Sequence, residues 1–158
     1  MEESAAKHGV DPKTLATVGW LESELRNVRS SKSSATGPMQ FVTATARAYG
    51  LVDPMDSRAN IDAGALLMRD NAAAVRRALG HEPTPAALYM AHMQGIGAYL
   101  KLLEGGDSRA QDIVGERQIS DNTSGDANAS AADFLREWNV KFTRAATLFD
   151  LVPSGGSK

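Results

Sequence analysis

A glutamate at the border of an apolar helix face is the residue of this chain best suited to do chemistry. Leucine and valine side chains between residues 15 and 25 recur at steps of three and four, which predicts a helix with one apolar face. Glu22 borders that face, whereas Glu24 points to the opposite side. Low polarity raises the pKa of a carboxyl, as a general acid working near neutral pH requires. Glu22 is therefore a candidate general acid; the alternative is a solvated glutamate at a helix end.

A basic, serine-rich stretch follows this helix. Residues 27–36 contain Arg29 and Lys32 but no acid, and Gly37-Pro38-Met39-Gln40 comes directly after them. We expect the stretch to be either a solvated surface loop or one wall of a groove for an anionic glycan.

Together these residues resemble the first motif of the soluble lytic transglycosylases, which are lysozyme-like enzymes that cleave peptidoglycan glycan strands. In that family an acid followed by Ser opens the motif, another Ser lies in the middle, and Gly-Leu-Met-Gln follows the acid by fifteen to eighteen residues. This chain has the same order at that spacing, with Pro in place of Leu: Glu22-Ser23, Ser31 and Gly37-Pro38-Met39-Gln40.

The resemblance implies roles for the individual residues of this first motif. Glu22 would be the catalytic acid, and Ser31 and Gln40 would hydrogen-bond the substrate near it. Met39 would line an apolar floor that keeps Glu22 protonated. The structural alternatives are a Ser that caps a turn, an exposed Gln and a core Met.

Residues 89–98 resemble the second motif of the family, which is usually Ala-Tyr-Asn-x-Gly-x-Gly. The alanine and both glycines are present, as Ala91, Gly95 and Gly97. His92 replaces the Tyr and Met93 replaces the Asn, as in a Leu-Tyr-x-Ala-His variant of phage-encoded and flagellum-associated members. The resemblance therefore implies substrate binding by His92, with Tyr89 as the other candidate for the Tyr role, and by Gln94. The alternative for His92 is a structural histidine.

Capping and periodicity predict an all-α, lysozyme-like single domain over residues 1–150. We expect helices over 2–8, from Pro12 to near Arg26, over 44–49 after a Thr43 cap, over 57–79, between Thr84 and Gly105, and after Ser130. A short hairpin within 26–42 is the only strand structure expected, and residues 106–129 should be irregular. Residues 151–158 should be a flexible tail outside the fold, either native or left from cloning.

Composition excludes several classes of function. A net charge of -2 gives no indication of a nucleic-acid partner, and no apolar run is long enough for membrane insertion. There is no Cys, and the three histidines stand apart, so we expect neither thiolate chemistry nor a metal site. We expect a monomer that needs no cofactor. The first residues lack the apolar core of a signal peptide, so we expect delivery to the wall in a virion, by lysis or within a larger exported protein.

One carboxylate is enough to cleave a glycosidic bond if the nucleophile comes from the substrate. The resemblance implies that Glu22 protonates the oxygen between N-acetylmuramic acid and N-acetylglucosamine and then takes the proton of the muramoyl 6-hydroxyl, which forms a 1,6-anhydro end. The nearest rival is a muramidase, which needs a second acid. None lies between Leu25 and Val52, so a second acid would have to come from elsewhere, such as Asp53, Asp107 or Glu116. Further rivals are a non-catalytic glycan-binding module and an all-α interaction domain.

Overall fold

The computed structural model describes residues 1–116, 118–119, 126 and 128–150, and this part of the chain is mainly helical. The helices are α1 Glu2–His8, α2 Pro12–Ser23, α3 Thr43–Ala48, α4 Ser57–Leu79, α5 Pro85–Gln94, α6 Ile96–Gly105, α7 Ala110–Val114 and α8 Ala131–Ala146, with a 3-10 turn at Thr147–Phe149. Isolated bridges replace strands in the described residues. The all-α prediction is confirmed, and the tail predicted at 151–158 lies outside the described residues.

The described chain forms two compact units. Unit 1 contains residues 1–70 and 144–150, and unit 2 contains residues 71–143. Helix α4 contributes its first part to unit 1 and its last part to unit 2. The expectation of a single domain over 1–150 stays a prediction.

Helix α2 begins with a strong cap and ends without a glycine. The Asp11 carboxylate accepts the Thr14 backbone N–H at 2.7 Å, and Pro12 occupies the first helical position, where its missing N–H costs nothing. At the other end, Glu24 and Leu25 adopt the left-handed conformation. The helix therefore ends at Ser23, which corrects the predicted end near Arg26.

The core of unit 1 is built around a methionine between two glycines. Leu15, Val18 and Met39 have no exposed surface. A Cβ added to Gly64 would lie 2.7 Å from Met39 Cγ, and one added to Gly19 would lie 3.2 Å from Met39 Sδ. Met39 therefore fills space that only glycine leaves open on α2 and α4.

The core of unit 2 includes an aromatic cluster from α5 and α8. The Tyr89 ring centroid lies 5.6 Å from that of Trp138 and 5.9 Å from that of Phe142, and all three side chains are buried. Ser130 Oγ accepts the Asp133 N–H at 3.1 Å, which confirms the predicted cap of the last helix.

Three other sequence-based expectations need correction. Val42 caps α3 and Thr43 lies inside the helix, since its side chain accepts no capping hydrogen bond. The stretch expected to be irregular contains α7, whose five residues are too few to show a helical period. The hairpin expected in 26–42 is reduced to bridges of Thr36 with Arg29 and Phe41. Within the described helices, none combines the length and apolarity needed to cross a membrane.

Replacing Gly64 by Ala should lower the free energy of unfolding by about 1–3 kcal/mol, because the new methyl group overlaps Met39 inside a filled core. Gly97→Ala is the matched control. Gly97 is also helical, but a Cβ there meets nothing within 4 Å, so stability should stay equal or rise by up to about 1 kcal/mol. Urea unfolding of both variants measures the difference, and equal stabilities would contradict this account of the core.

Candidate active site

Glu22 is the last residue but one of α2, and its surroundings favour the uncharged acid. Burial raises the pKa of the Glu22 carboxyl from 4.5 to about 7. The residue nevertheless keeps partial solvent exposure. A carboxyl that keeps about half of its molecules protonated at neutral pH and is still reachable has the properties of a general acid. The predicted direction of the pKa shift is confirmed.

The backbone next to Glu22 is strained. Among the described residues other than glycine, positive φ angles occur at Glu24 (56°), Leu25 (59°) and Gln40 (48°). Two of these residues follow Glu22 at the end of α2, and the third ends the Gly37-Pro38-Met39-Gln40 turn. Such conformations cost of order 1 kcal/mol or more each for residues with a side chain, and they concentrate at functional sites. Their location supports Glu22 and this turn as parts of one site.

Ser23 joins the end of α2 to the turn. Its hydroxyl lies 2.8 Å from the Pro38 carbonyl oxygen and 3.3 Å from that of Gly19, and the side chain is buried. The Ser of the Glu-Ser pair thus has a structural role here: it sets the distance between the helix that carries Glu22 and the turn.

Asn60, at the start of α4, holds the turn from the other side. Its Oδ1 accepts the Met39 backbone N–H at 2.8 Å. Its Nδ2 donates to the carbonyl oxygens of Thr36 at 3.1 Å and Pro54 at 3.0 Å. Asn60 has no exposed surface, so one buried amide satisfies three backbone groups from two segments of the chain.

The turn itself tolerates Pro but requires Gly. Gly37 has φ 81°, and a Cβ there would overlap the Asn60 amide and the Pro54 carbonyl. The backbone N–H groups of Gly37, Met39 and Gln40 are all used, whereas position 38 contributes its carbonyl to Ser23. Because Pro retains that carbonyl and lacks only the N–H, Pro38 can replace the usual Leu without loss of these bonds.

The other residues predicted for the first motif are placed as follows. Met39 is fully buried, as a core residue beneath the turn. Gln40 is partly exposed, and its Nε2 donates to the carbonyls of Gly37 at 2.7 Å and Val28 at 3.2 Å. Ser31 is exposed in the loop before the turn. Substrate contacts by these three residues stay predictions.

The residues predicted from the second motif lie together on α5, in unit 2. Tyr89 belongs to the buried aromatic cluster, which is the place of a core residue. Burial lowers the pKa of His92 to about 4, so the imidazole is neutral at physiological pH. Gln94 ends the helix, and its buried Nε2 finds no hydrogen-bond acceptor in the described part of the chain. A buried donor of this kind calls for an acceptor, so Gln94 remains a candidate for substrate binding.

The three acids named above for a hydrolytic mechanism are exposed. Asp53 accepts the Met55 N–H at 2.9 Å within a bend, and Asp107 and Glu116 lie in unit 2. No trio of His, Cys, Asp or Glu with metal-site geometry occurs within the described ranges.

The sequence analysis missed the role of Asn60, which lies at the start of α4 and directly before Ile61. An asparagine next to the first apolar residue of a long helix was the available signal, because a polar side chain at a core position needs buried partners.

Residues 1–110 match the family described as "Transglycosylase SLT domain". The match covers more than half of the chain, so this chain belongs to that family. A protein of Enterobacteria phage PRD1 named "Transglycosylase" is 35% identical over 68 residues, which are 43% of this chain and 26% of that protein. The matched region thus spans about a quarter of that relative.

Removing the Asn60 amide should destabilise the fold strongly. Asn60→Ala leaves the Met39 N–H and two carbonyls buried without partners, which should lower the free energy of unfolding by at least about 2 kcal/mol. Asn139→Ala, on the exposed face of α8, is the control and should stay within about 0.5 kcal/mol of wild type. Chemical denaturation measures both free energies of unfolding. A small decrease for Asn60→Ala would argue against the role of Asn60 in holding the turn.

The raised pKa of Glu22 predicts a pH-dependent stability. The folded state binds the Glu22 proton more tightly than the unfolded state does. The free energy of unfolding therefore falls as the pH rises and Glu22 ionises. Compared with Glu22→Gln, wild type should lose about 3 kcal/mol of stability as the pH rises from 4.5 to about 7, and no more above that.

Denaturant midpoints measured from pH 4 to pH 8.5 provide this comparison. Glu24→Gln is the matched control, because Glu24 is an exposed carboxylate two residues away. Its difference from wild type should not follow the same pH course. A constant difference between wild type and Glu22→Gln would contradict the raised pKa.

Proposed function

We propose that this chain is a peptidoglycan lytic transglycosylase domain in which Glu22 is the catalytic acid and base. The proposal is supported by two findings taken together. The chain belongs to the transglycosylase SLT family, and its Glu22 has a pKa of about 7 and lies next to the strained end of α2. The pKa makes the acid form available at neutral pH, and partial exposure leaves it accessible to a glycosidic oxygen.

The proposed reaction uses one protein carboxyl twice. Glu22 gives its proton to the glycosidic oxygen while the bond from that oxygen to C1 of N-acetylmuramic acid breaks. The Glu22 carboxylate then takes the proton of the muramoyl 6-hydroxyl as O6 bonds to C1. The products are a 1,6-anhydromuramic end and a free 4-hydroxyl on N-acetylglucosamine. Glu22 is protonated again and no water is consumed.

The reaction needs no second carboxylate, which agrees with the surroundings of Glu22 in the sequence. The attacking hydroxyl belongs to the same sugar as C1, so the step gains from proximity. The acids that a muramidase mechanism would recruit are exposed. The proposal therefore favours the anhydro product over hydrolysis.

The substrate-binding residues are proposed from both motifs. Gln40 and Ser31 bind sugar groups near Glu22, and Met39 contributes from beneath the turn. On α5, the buried and unsatisfied Nε2 of Gln94 supports a role as a hydrogen-bond donor to substrate, and His92 contributes as a neutral imidazole. Tyr89 is the weaker candidate because its ring packs in the core.

We propose a bacteriophage or another wall-penetrating assembly as the setting. The support is the similarity over 68 residues to the protein of Enterobacteria phage PRD1 named "Transglycosylase". In such an assembly the chain would act on the cell wall as one module, without a cofactor and without insertion into the membrane.

Digestion of purified peptidoglycan, followed by mass spectrometry of the fragments, tests the reaction and its acid together. Wild type should release anhydromuropeptides, and Glu22→Gln should lower the rate by at least about 10²-fold, because it cannot exchange a proton. The Gln variant should remain folded, since it removes a carboxyl that burial keeps from ionising.

Glu24→Gln serves as the control and should keep wild-type rates, because Glu24 is an exposed residue just beyond the end of α2. Products heavier by one water would show that the domain is a muramidase and not a transglycosylase. Binding without any fragments from wild type would favour a non-catalytic module instead.

A further inference from the structure

A concave site lies in unit 1, and Glu22 is not part of its lining. It is a pocket of about 680 Å³ between the basic loop, α3 and the bend at residues 50–54. Two arginines line it, Arg29 from the loop and Arg47 from α3. Among the described residues that line it, none is acidic.

Neither arginine has a charged partner among the residues that the structure describes. Arg29 and Arg47 are exposed, and neither makes an ion pair or side-chain hydrogen bond with another described residue. Other arginines of unit 1 do have partners: Arg58 pairs with Glu3 at 2.6 Å, for example. The pocket is therefore lined by two positively charged residues that no acid in the described part of the chain compensates.

The serines of the loop add neutral donors to the same pocket. Ser30, Ser33 and Ser34 each accept a backbone N–H, at 3.2, 3.2 and 3.3 Å respectively. With their oxygens engaged as acceptors, the hydroxyl protons remain to be donated. Two arginines and three serines, all with side-chain hydrogen-bond donors, thus line one cavity, and donors of this kind bind anionic oxygen groups.

The rest of the lining is mainly apolar, apart from Thr36 and Thr43. Phe41 and Leu51 are buried, and Val52 at the rim is 97% exposed. The volume also exceeds the space that one carboxylate fills. The preferred ligand should therefore be an anion attached to a short chain with small apolar side groups.

We propose that this pocket binds a carboxylate of the peptide stem that peptidoglycan carries. The stem is a short peptide with several carboxylates and alanine methyl groups, which match the guanidinium groups and the apolar wall. The proposal rests on the proposed function for its substrate, and it makes the peptide stem a recognition element in addition to the glycan strand.

Titration of a synthetic, four-residue stem peptide, followed by NMR, tests the pocket without any cleavage. Wild type should show saturable shifts among residues 29–52. The double variant Arg29→Gln with Arg47→Gln should weaken binding by about tenfold for each lost charge-assisted hydrogen bond. Blocking the peptide carboxylates as amides should weaken binding to the same extent.

Arg77→Gln is the matched control, because it removes the same charge from an exposed arginine outside the pocket, near the end of α4. It should bind like wild type. N-acetylmuramic acid and inorganic phosphate, used alone, should bind more weakly than the peptide. Equal binding of either one would overturn the stem assignment in favour of a bare anion site, and so would a lack of saturable peptide binding in the millimolar range.

Digestion of peptidoglycan strands tests the pocket assignment separately from the proposed enzymatic function. The ratio of cleavage rates on peptide-bearing and amidase-stripped strands should fall in the double variant and stay unchanged in Arg77→Gln. If wild type binds the peptide but cleaves neither substrate, the pocket assignment stands and the enzymatic proposal fails. If wild type cleaves the strands but the double variant leaves the ratio of the two cleavage rates unchanged, the pocket assignment is wrong. The enzymatic proposal then stands.

Discussion

The buried amide of Asn60 is the interaction on which the candidate active site depends. It accepts the Met39 N–H and donates to the carbonyls of Thr36 and Pro54, so it connects the start of α4 to the turn and to the bend before the helix. Ser23 connects the same turn to the end of α2. The residue before Ser23 is Glu22. The acid is therefore positioned by a short series of hydrogen bonds. Each of these bonds joins the side chain of Ser23 or Asn60 to a backbone group.

Rigidity of this kind is needed because the site is costly to form. Left-handed residues follow Glu22 and end the turn, and a carboxyl is buried where its charged form is disfavoured. Each of these features opposes folding. The offset comes from the core of unit 1, where Met39 packs in the space left by two glycines and Leu15 and Val18 are fully buried. Met39 thus belongs both to the turn and to the core that stabilises it.

The sequence predicted the regular elements best where periodicity and end signals agree. Helix α4 has its predicted bounds, because its apolar residues repeat over six turns and Gly80 follows it. The end of α2 was misplaced, because its left-handed residues are a glutamate and a leucine rather than a glycine. The direction of the Glu22 pKa shift was predictable from its place beside an apolar face. The bonds of Asn60 were not, because its partners are backbone groups that local sequence does not mark.

A motif names residue types, and the fold decides which of their atoms remain for a substrate. The Gln40 side chain faces two carbonyl oxygens, those of Val28 and Gly37, and a carbonyl can only accept. The amide nitrogen must therefore point to them, which leaves Oε1 as the atom Gln40 can present to a ligand. A protonated Glu22 presents a donor. If both groups meet one glycan, Glu22 would donate to an ether oxygen and Gln40 would accept from a sugar hydroxyl. This division is chemically consistent, because a glycosidic oxygen has no proton to give and a hydroxyl does.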